Sequence, residues 1–200
     1  MKELNETLIR IKKLMHINEA RFKANEDDIV KYLKLNLIEF NKVSWLGEGE
    51  YGNAYSLGNG KVLKMTSSIS EYEIASEIIG KKLPGIVRFY FAKEVGSRLF
   101  ALIMDELETD SSIADDMYRT ELILTTQGLS IEEIGNFDER EYDGSEGDLD
   151  PGIVKYMDEL DTIFRSCRNL GMRIPDINYG NLGYDNNGVL TAFDIHDKSR

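Results

Sequence analysis

Residues 42–66 read KVSWLGEGEYGNAYSLGNGKVLKMT, and the fold turns on whether a helix or a strand succeeds the glycines. Gly47-x-Gly49-x-x-Gly52 has the spacing of a phosphate-cradling loop, where missing side chains let backbone N–H groups approach anionic oxygens. A dinucleotide-binding unit needs a helix directly after such glycines. Here the segment after Gly52 continues as a strand, Gly58-Asn59-Gly60 supplies a hairpin turn, and KVLKMT makes a further strand. The stretch therefore predicts an antiparallel sheet with a glycine turn. On this motif alone, a hairpin that simply needs glycines is the plain alternative.

Lys64 lies on the third strand, twelve residues after Gly52. A strand lysine is usually a solvated side chain, but after such a turn it can point at nucleotide phosphates. That geometry needs a carboxylate from the following helix, SISEYEIASEIIGKK, which reads as opened by Ser70 and closed near Gly80. Glu71 shares a face with Ala75 and Ile78, whereas Glu73 lines up with Glu77 and Gly80. Glu71 ranks first and Glu73 is the alternative. GIVRFYFAKEVGSRLFALIMDEL then predicts two strands around a Gly-Ser turn.

After the glycine turn and Lys64, a third constellation lies at 173–195, RIPDINYGNLGYDNNGVLTAFDI. Asp176 and Asn181 are five residues apart, and Asn181 and Asp194 thirteen, with a strand-turn-strand pattern around DNNG between them. Folding back brings Asn181 and Asp194 near each other as hard oxygen ligands for Mg²⁺, and Asp176 onto a loop facing a substrate hydroxyl. A turn-rich hairpin that uses Asp and Asn for its turns is the ordinary explanation. The order and spacing of all three constellations argue against it.

The remainder sets bounds. Two hundred residues suffice for one large domain or two small lobes. No apolar run is long enough to span a bilayer and no signal-peptide core is present, so no membrane partner is expected. One cysteine, Cys167, fits a reducing cytoplasm, and His16 and His196 without cysteine partners argue against zinc. The net charge of −12 argues against nucleic acid. Residues 1–24 run against it, with six basic and three acidic side chains. Leu4, Leu8, Ile11 and Met15 form one stripe of an amphipathic helix there. A second helix is expected from an Asn25 cap to about Glu39, burying Ile29, Leu33 and Leu37. Further helices are expected around 111–124 and from the Asp150-Pro151 start, the latter burying Ile153, Met157, Leu160, Phe164 and Cys167 and closing at Gly171. The carboxylate-rich stretch between them reads as a solvated loop.

Taken together, residues 42–195 resemble the protein-kinase-like superfamily. GEGEYGNAY resembles its glycine-rich loop, implying Gly47, Gly49 and Gly52 around the phosphates, and KVLK resembles its phosphate-lysine strand. LIMDEL resembles the hinge, implying Met104 beside the adenine and backbone hydrogen bonds from Asp105 to Leu107. PDINYGN resembles the catalytic loop, implying Asp176 as base and Asn181 as metal ligand, and FDI the metal-binding motif, placing Asp194 on Mg²⁺. Ile174-Pro175 stand for His-Arg, Ile195-His196 for Phe-Gly, and Asn178 for the lysine of serine/threonine kinases. The loop is closer to that of antibiotic and other small-molecule kinases, and no activation segment is expected after Asp194.

The expectation is an α+β, protein-kinase-like two-lobed fold. A basic leader covers 1–19, a helix 20–40, an N-lobe with an antiparallel sheet and one helix 41–107, and a reduced C-lobe 108–200. The resemblance implies an ATP- and Mg²⁺-dependent phosphotransferase acting on the hydroxyl of an unidentified protein or small molecule. Its alternatives are a pseudokinase that binds nucleotide or serves as structure, and an enzyme moving AMP. The leader, ending Ile17-Asn18-Glu19 before Ala20, also resembles the cleaved capsid-targeting leaders of tailed-phage head proteins. That resemblance implies packaging in a virion and delivery into a bacterial cytoplasm.

Overall fold

The computed structural model describes residues 25–96, 98–144, 149–173 and 175–196. The stripe at residues 4–15 and the leader ending at Glu19 lie outside them. The fold is mixed α+β, and the chain divides into two units. Among the described residues, the first contains 25–81 and Arg88–Glu106, the second Lys82–Val87 and those from Leu107 on.

In the first unit, α1 (Glu26–Leu35) precedes β1 (Ser44–Glu48), β2 (Gly52–Ser56), β3 (Lys61–Thr66), α2 (Ile69–Ile78), β4 (Phe89–Gly96) and β5 (Leu99–Asp105). The strands form one antiparallel sheet in the order β1-β2-β3-β5-β4. Side chains alternate between its faces. Tyr55, Leu57, Leu63, Met65, Ala101 and Ile103 share a core with Ile29, Tyr32 and Leu33 of α1. Lys64, between Leu63 and Met65, therefore points to the other face, where Tyr72 of α2 stacks on Phe100 at 4.3 Å.

Asn25 caps α1 as its sequence predicts, its side chain accepting the Asp28 N–H at 2.9 Å. The other end differs from expectation. The helix stops at Leu35, where the Ile38 N–H bonds the Leu33 carbonyl and the Leu37 N–H that of Lys34. This is a Schellman closure with Leu37 in the position that usually carries glycine. Leu37 has φ 55° and is 91% exposed, so it is not part of the buried stripe.

The second unit contains α3 (Ser112–Thr126), α4 (Pro151–Asn169) and the hairpin β6 (Leu182–Tyr184) and β7 (Leu190–Ala192). Asp150 caps α4 by accepting the Ile153 N–H, and Ile153, Met157, Leu160, Phe164 and Cys167 are buried as the pattern predicts. Between α3 and α4, two short 3-10 turns, Ile131–Asn136 and Glu139–Glu141, occupy part of the expected loop. Residues 82–87, inside the 41–107 expectation, form a strap in this unit. Its Val87 N–H bonds the Ala192 carbonyl, and the Ala192 N–H bonds that of Gly85. Gly85 is required there: φ is +67°, and a Cβ would lie 2.6 Å from Ile163 Cγ1.

The strained end of α1 generates a prediction. Leu37→Gly relieves left-handed strain and forfeits almost no burial, so it raises unfolding free energy by about 1 kcal/mol. Urea denaturation checks this, and a loss of stability would show that Leu37 contributes a contact.

Candidate functional site

The three motif glycines do different things. Gly52 pairs with Thr66 across β2 and β3, and a Cβ on it would lie 1.9 Å from the Met65 carbonyl oxygen. The sheet itself demands glycine there. At Gly47 and Gly49 a Cβ would meet nothing within 4 Å, and neither has a left-handed φ. Packing and backbone conformation leave room for a side chain at both positions. The turn between the strands is closed by the Gly49 N–H to the Gly52 carbonyl at 2.8 Å, and the Tyr51 carbonyl accepts the Ser67 N–H at 2.8 Å.

Lys64, flanked by Ala54 on β2 and Leu102 on β5, places its Nζ 2.7 Å from Glu71 Oε1. Both are buried, Glu71 at 0% exposure and Lys64 at 8%. Of the two candidate carboxylates, Glu71 is thus the partner, and Glu73 is exposed. The cap of α2 is Ser68 rather than Ser70: Ser68 is extended, and its hydroxyl accepts the Glu71 N–H at 3.2 Å. Starting the helix there sets Glu71 in its first turn, where the helix dipole favours an anion.

Met104, the first residue of the expected hinge, is buried on β5 between Val62 and Phe89. The Asp105 N–H is bonded to the Arg88 carbonyl and the Glu106 N–H to that of Gly60. Their side chains are also engaged: the Tyr90 hydroxyl donates to Asp105 and the Ser56 hydroxyl to Glu106. Among the described residues, the Leu107 N–H has no backbone acceptor.

The second unit brings Asp176, Asn181 and Asp194 together. Leu182 pairs with Ala192 in the hairpin, and the Phe193 N–H bonds the Asn181 carbonyl at 3.0 Å, so Asn181 lies beside the residue preceding Asp194. The Asn181 side-chain amide donates to the Asp176 carbonyl at 2.8 Å, so its Oδ1 is not part of that bond. Among the described residues, no group of three or more His, Cys, Asp and Glu side chains is placed to hold a metal ion. Asn181 Oδ1 and the Asp194 carboxylate are nonetheless hard oxygen donors, and they suit Mg²⁺, which takes few protein ligands and completes its shell with phosphate and water.

His196 joins this group, a residue sequence reasoning treats only as a departure from a motif. Its carbonyl accepts the Asp176 N–H at 3.0 Å, its Nε2 lies 3.2 Å from Asp176 Oδ2, and its Nδ1 lies 3.8 Å from Asp194 Oδ1. Its nearness to Asp194 in the chain is the only signal that could have found it. Cys167 is no nucleophile candidate: it is buried, and burial pushes its thiol up to about 12. No helix among the described residues is long and apolar enough to cross a membrane.

Neither known protein-family models nor curated proteins match this chain.

Two sets of substitutions test this geometry. Lys64→Ala strands a buried carboxylate and lowers unfolding free energy by about 3–5 kcal/mol, whereas Lys64→Met with Glu71→Leu restores most of it. Gly52→Ala costs about 1–3 kcal/mol by overpacking, while Gly47→Ala and Gly49→Ala stay within about 0.5. Chemical denaturation measures all five, and equal costs at the three glycines would overturn the distinction between them.

Proposed function

We propose that this chain is a minimal kinase-like phosphotransferase that moves the γ-phosphoryl of ATP to the hydroxyl of a protein or small molecule. In this reading its two units are the lobes of a protein-kinase-like fold. The observation that carries it is the buried Lys64–Glu71 pair, set on the strand after a glycine turn. Gly47 and Gly49, which the fold has no need of as glycine, keep that turn clear for phosphate oxygens.

Each group then has one task. Glu71 fixes the Lys64 ammonium, which meets the phosphates as a point charge. The Leu107 N–H serves the base. Asn181 Oδ1 and Asp194 would hold Mg²⁺, which supplies neutralisation of phosphate charge when bound. Asp176 orients the acceptor hydroxyl and takes its proton as the acceptor oxygen–phosphorus bond forms. The bond from the γ-phosphorus to the bridging oxygen breaks, leaving ADP.

Thermal unfolding with ATP, with and without Mg²⁺, tests binding. Ligand at about a hundredfold over Kd adds about 2.7 kcal/mol of stability. The shift is expected to need Mg²⁺, and to be lost in Asp194→Ala and diminished in Gly49→Val. Absence of any shift at millimolar ATP overturns the reading. Label transfer from γ- but not α-labelled ATP separates phosphoryl from AMP transfer, and Asp176→Ala should slow it by about 10²–10⁴. Binding without transfer of either label would make the chain a pseudokinase.

A further inference from the structure

We propose that His196 is the positioning residue of this site, holding the Asp176 carboxylate through Nε2 while its other ring nitrogen faces Asp194. The proposal rests on the phosphotransferase reading for what Asp176 does, and on geometry for what holds it. Asp176 lies in an irregular segment between α4 and the hairpin, where no helix or strand fixes its side chain. Its two carboxylate oxygens are held separately. Oδ1 accepts from the Asn178 amide at 3.3 Å, and Oδ2 faces His196 Nε2 at 3.2 Å.

The His196 backbone adds a third tether, its carbonyl accepting the Asp176 N–H at 3.0 Å. Backbone and ring of one residue thus fix both the place of Asp176 and the rotation of its carboxylate. Rotation decides which lone pair meets an acceptor hydroxyl, and small misplacements of a reacting group cost rate steeply. The ring also stands between two functions. With Nε2 on Asp176 and Nδ1 3.8 Å from Asp194 Oδ1, the base and the metal ligand share one neighbour, so their separation is set by an imidazole rather than by solvent. The side chains of His196, Asp176 and Asp194 are only 15%, 17% and 23% exposed, so little water competes for these contacts.

Glutamine and asparagine separate the two ring nitrogens, because a glutamine amide nitrogen reaches the position of Nε2 and an asparagine amide that of Nδ1. Hydrolysis of MgATP, with water as acceptor, is measured on the full chain for wild type, His196→Gln, His196→Asn and His196→Ala. His196→Gln should keep kcat within about threefold, while His196→Asn and His196→Ala lose roughly tenfold to a hundredfold, with KM for MgATP little changed throughout. Unchanged kcat in His196→Ala overturns the proposal. So does equal loss in the Gln and Asn variants, or a loss expressed in KM.

A second readout does not depend on turnover. The chain has two histidines, His16 and His196, and ¹⁵N ring resonances of the latter are assigned by their absence in His196→Gln. Asp176→Asn should shift the His196 ring signals and leave those of His16 in place. If it does not, the tether is absent and the proposal fails whatever the kinetics. Shifts in a protein that neither binds nor hydrolyses ATP would keep His196 as the residue that holds Asp176 and reject the phosphotransferase reading on its own account.

Discussion

The arrangement of the first unit depends on one buried ion pair. Lys64 and Glu71 meet at 2.7 Å with almost no exposure, and removing two charges from water costs several kcal/mol per ion before their attraction returns it. Apolar residues of similar volume would serve stability as well or better, so stability alone does not account for the pair. The surroundings are built to keep it. Ala54 leaves room beside the lysine, Ser68 starts α2 where Glu71 falls in its first turn, and the Tyr72–Phe100 stack fastens that turn to β5. The opposite face is closed by α1, and on the α2 face the charged pair sits among buried apolar side chains such as Phe100 and Leu102.

Much of this is legible in residue order. The strand-turn-strand reading of 42–66, the Asn25 and Asp150 caps and the α4 stripe all depend on neighbours within one or two turns, and sequence displays such neighbours directly. The features that escape it depend on backbone placement. Ser68 and Ser70 are equally good caps by composition, and only the extended conformation of Ser68 distinguishes them. Leu37 looks like the next member of a buried stripe until the helix closes beneath it and turns it outward. The strap at 82–87 is recruited by Ala192, far along the chain, through hydrogen bonds that leave no mark on residue type.

The site divides along the same line. Helical spacing favours Glu71 over Glu73, and the burial of Ala75 and Ile78 on its face is the reason that spacing is informative. The glycines are legible as a group but not individually. Sequence cannot say that Gly52 answers to the Met65 carbonyl while Gly47 and Gly49 answer to no packing contact. That difference carries functional weight, because a glycine explained by packing offers no argument for a ligand.

His196 shows the same limit from the other side. By residue type it marks a departure from the motif it follows, and motif comparison counts it as a loss. By position it touches Asp176 through both backbone and ring and lies against Asp194. A glycine there would keep the carbonyl contact to the Asp176 N–H and lose both contacts of the ring. Here the imidazole lies between the Asp176 and Asp194 carboxylates, 3.2 Å from the first and 3.8 Å from the second. One residue, two places beyond Asp194, thus ties Asp176 down through main chain and side chain at once, a convergence that residue order does not display.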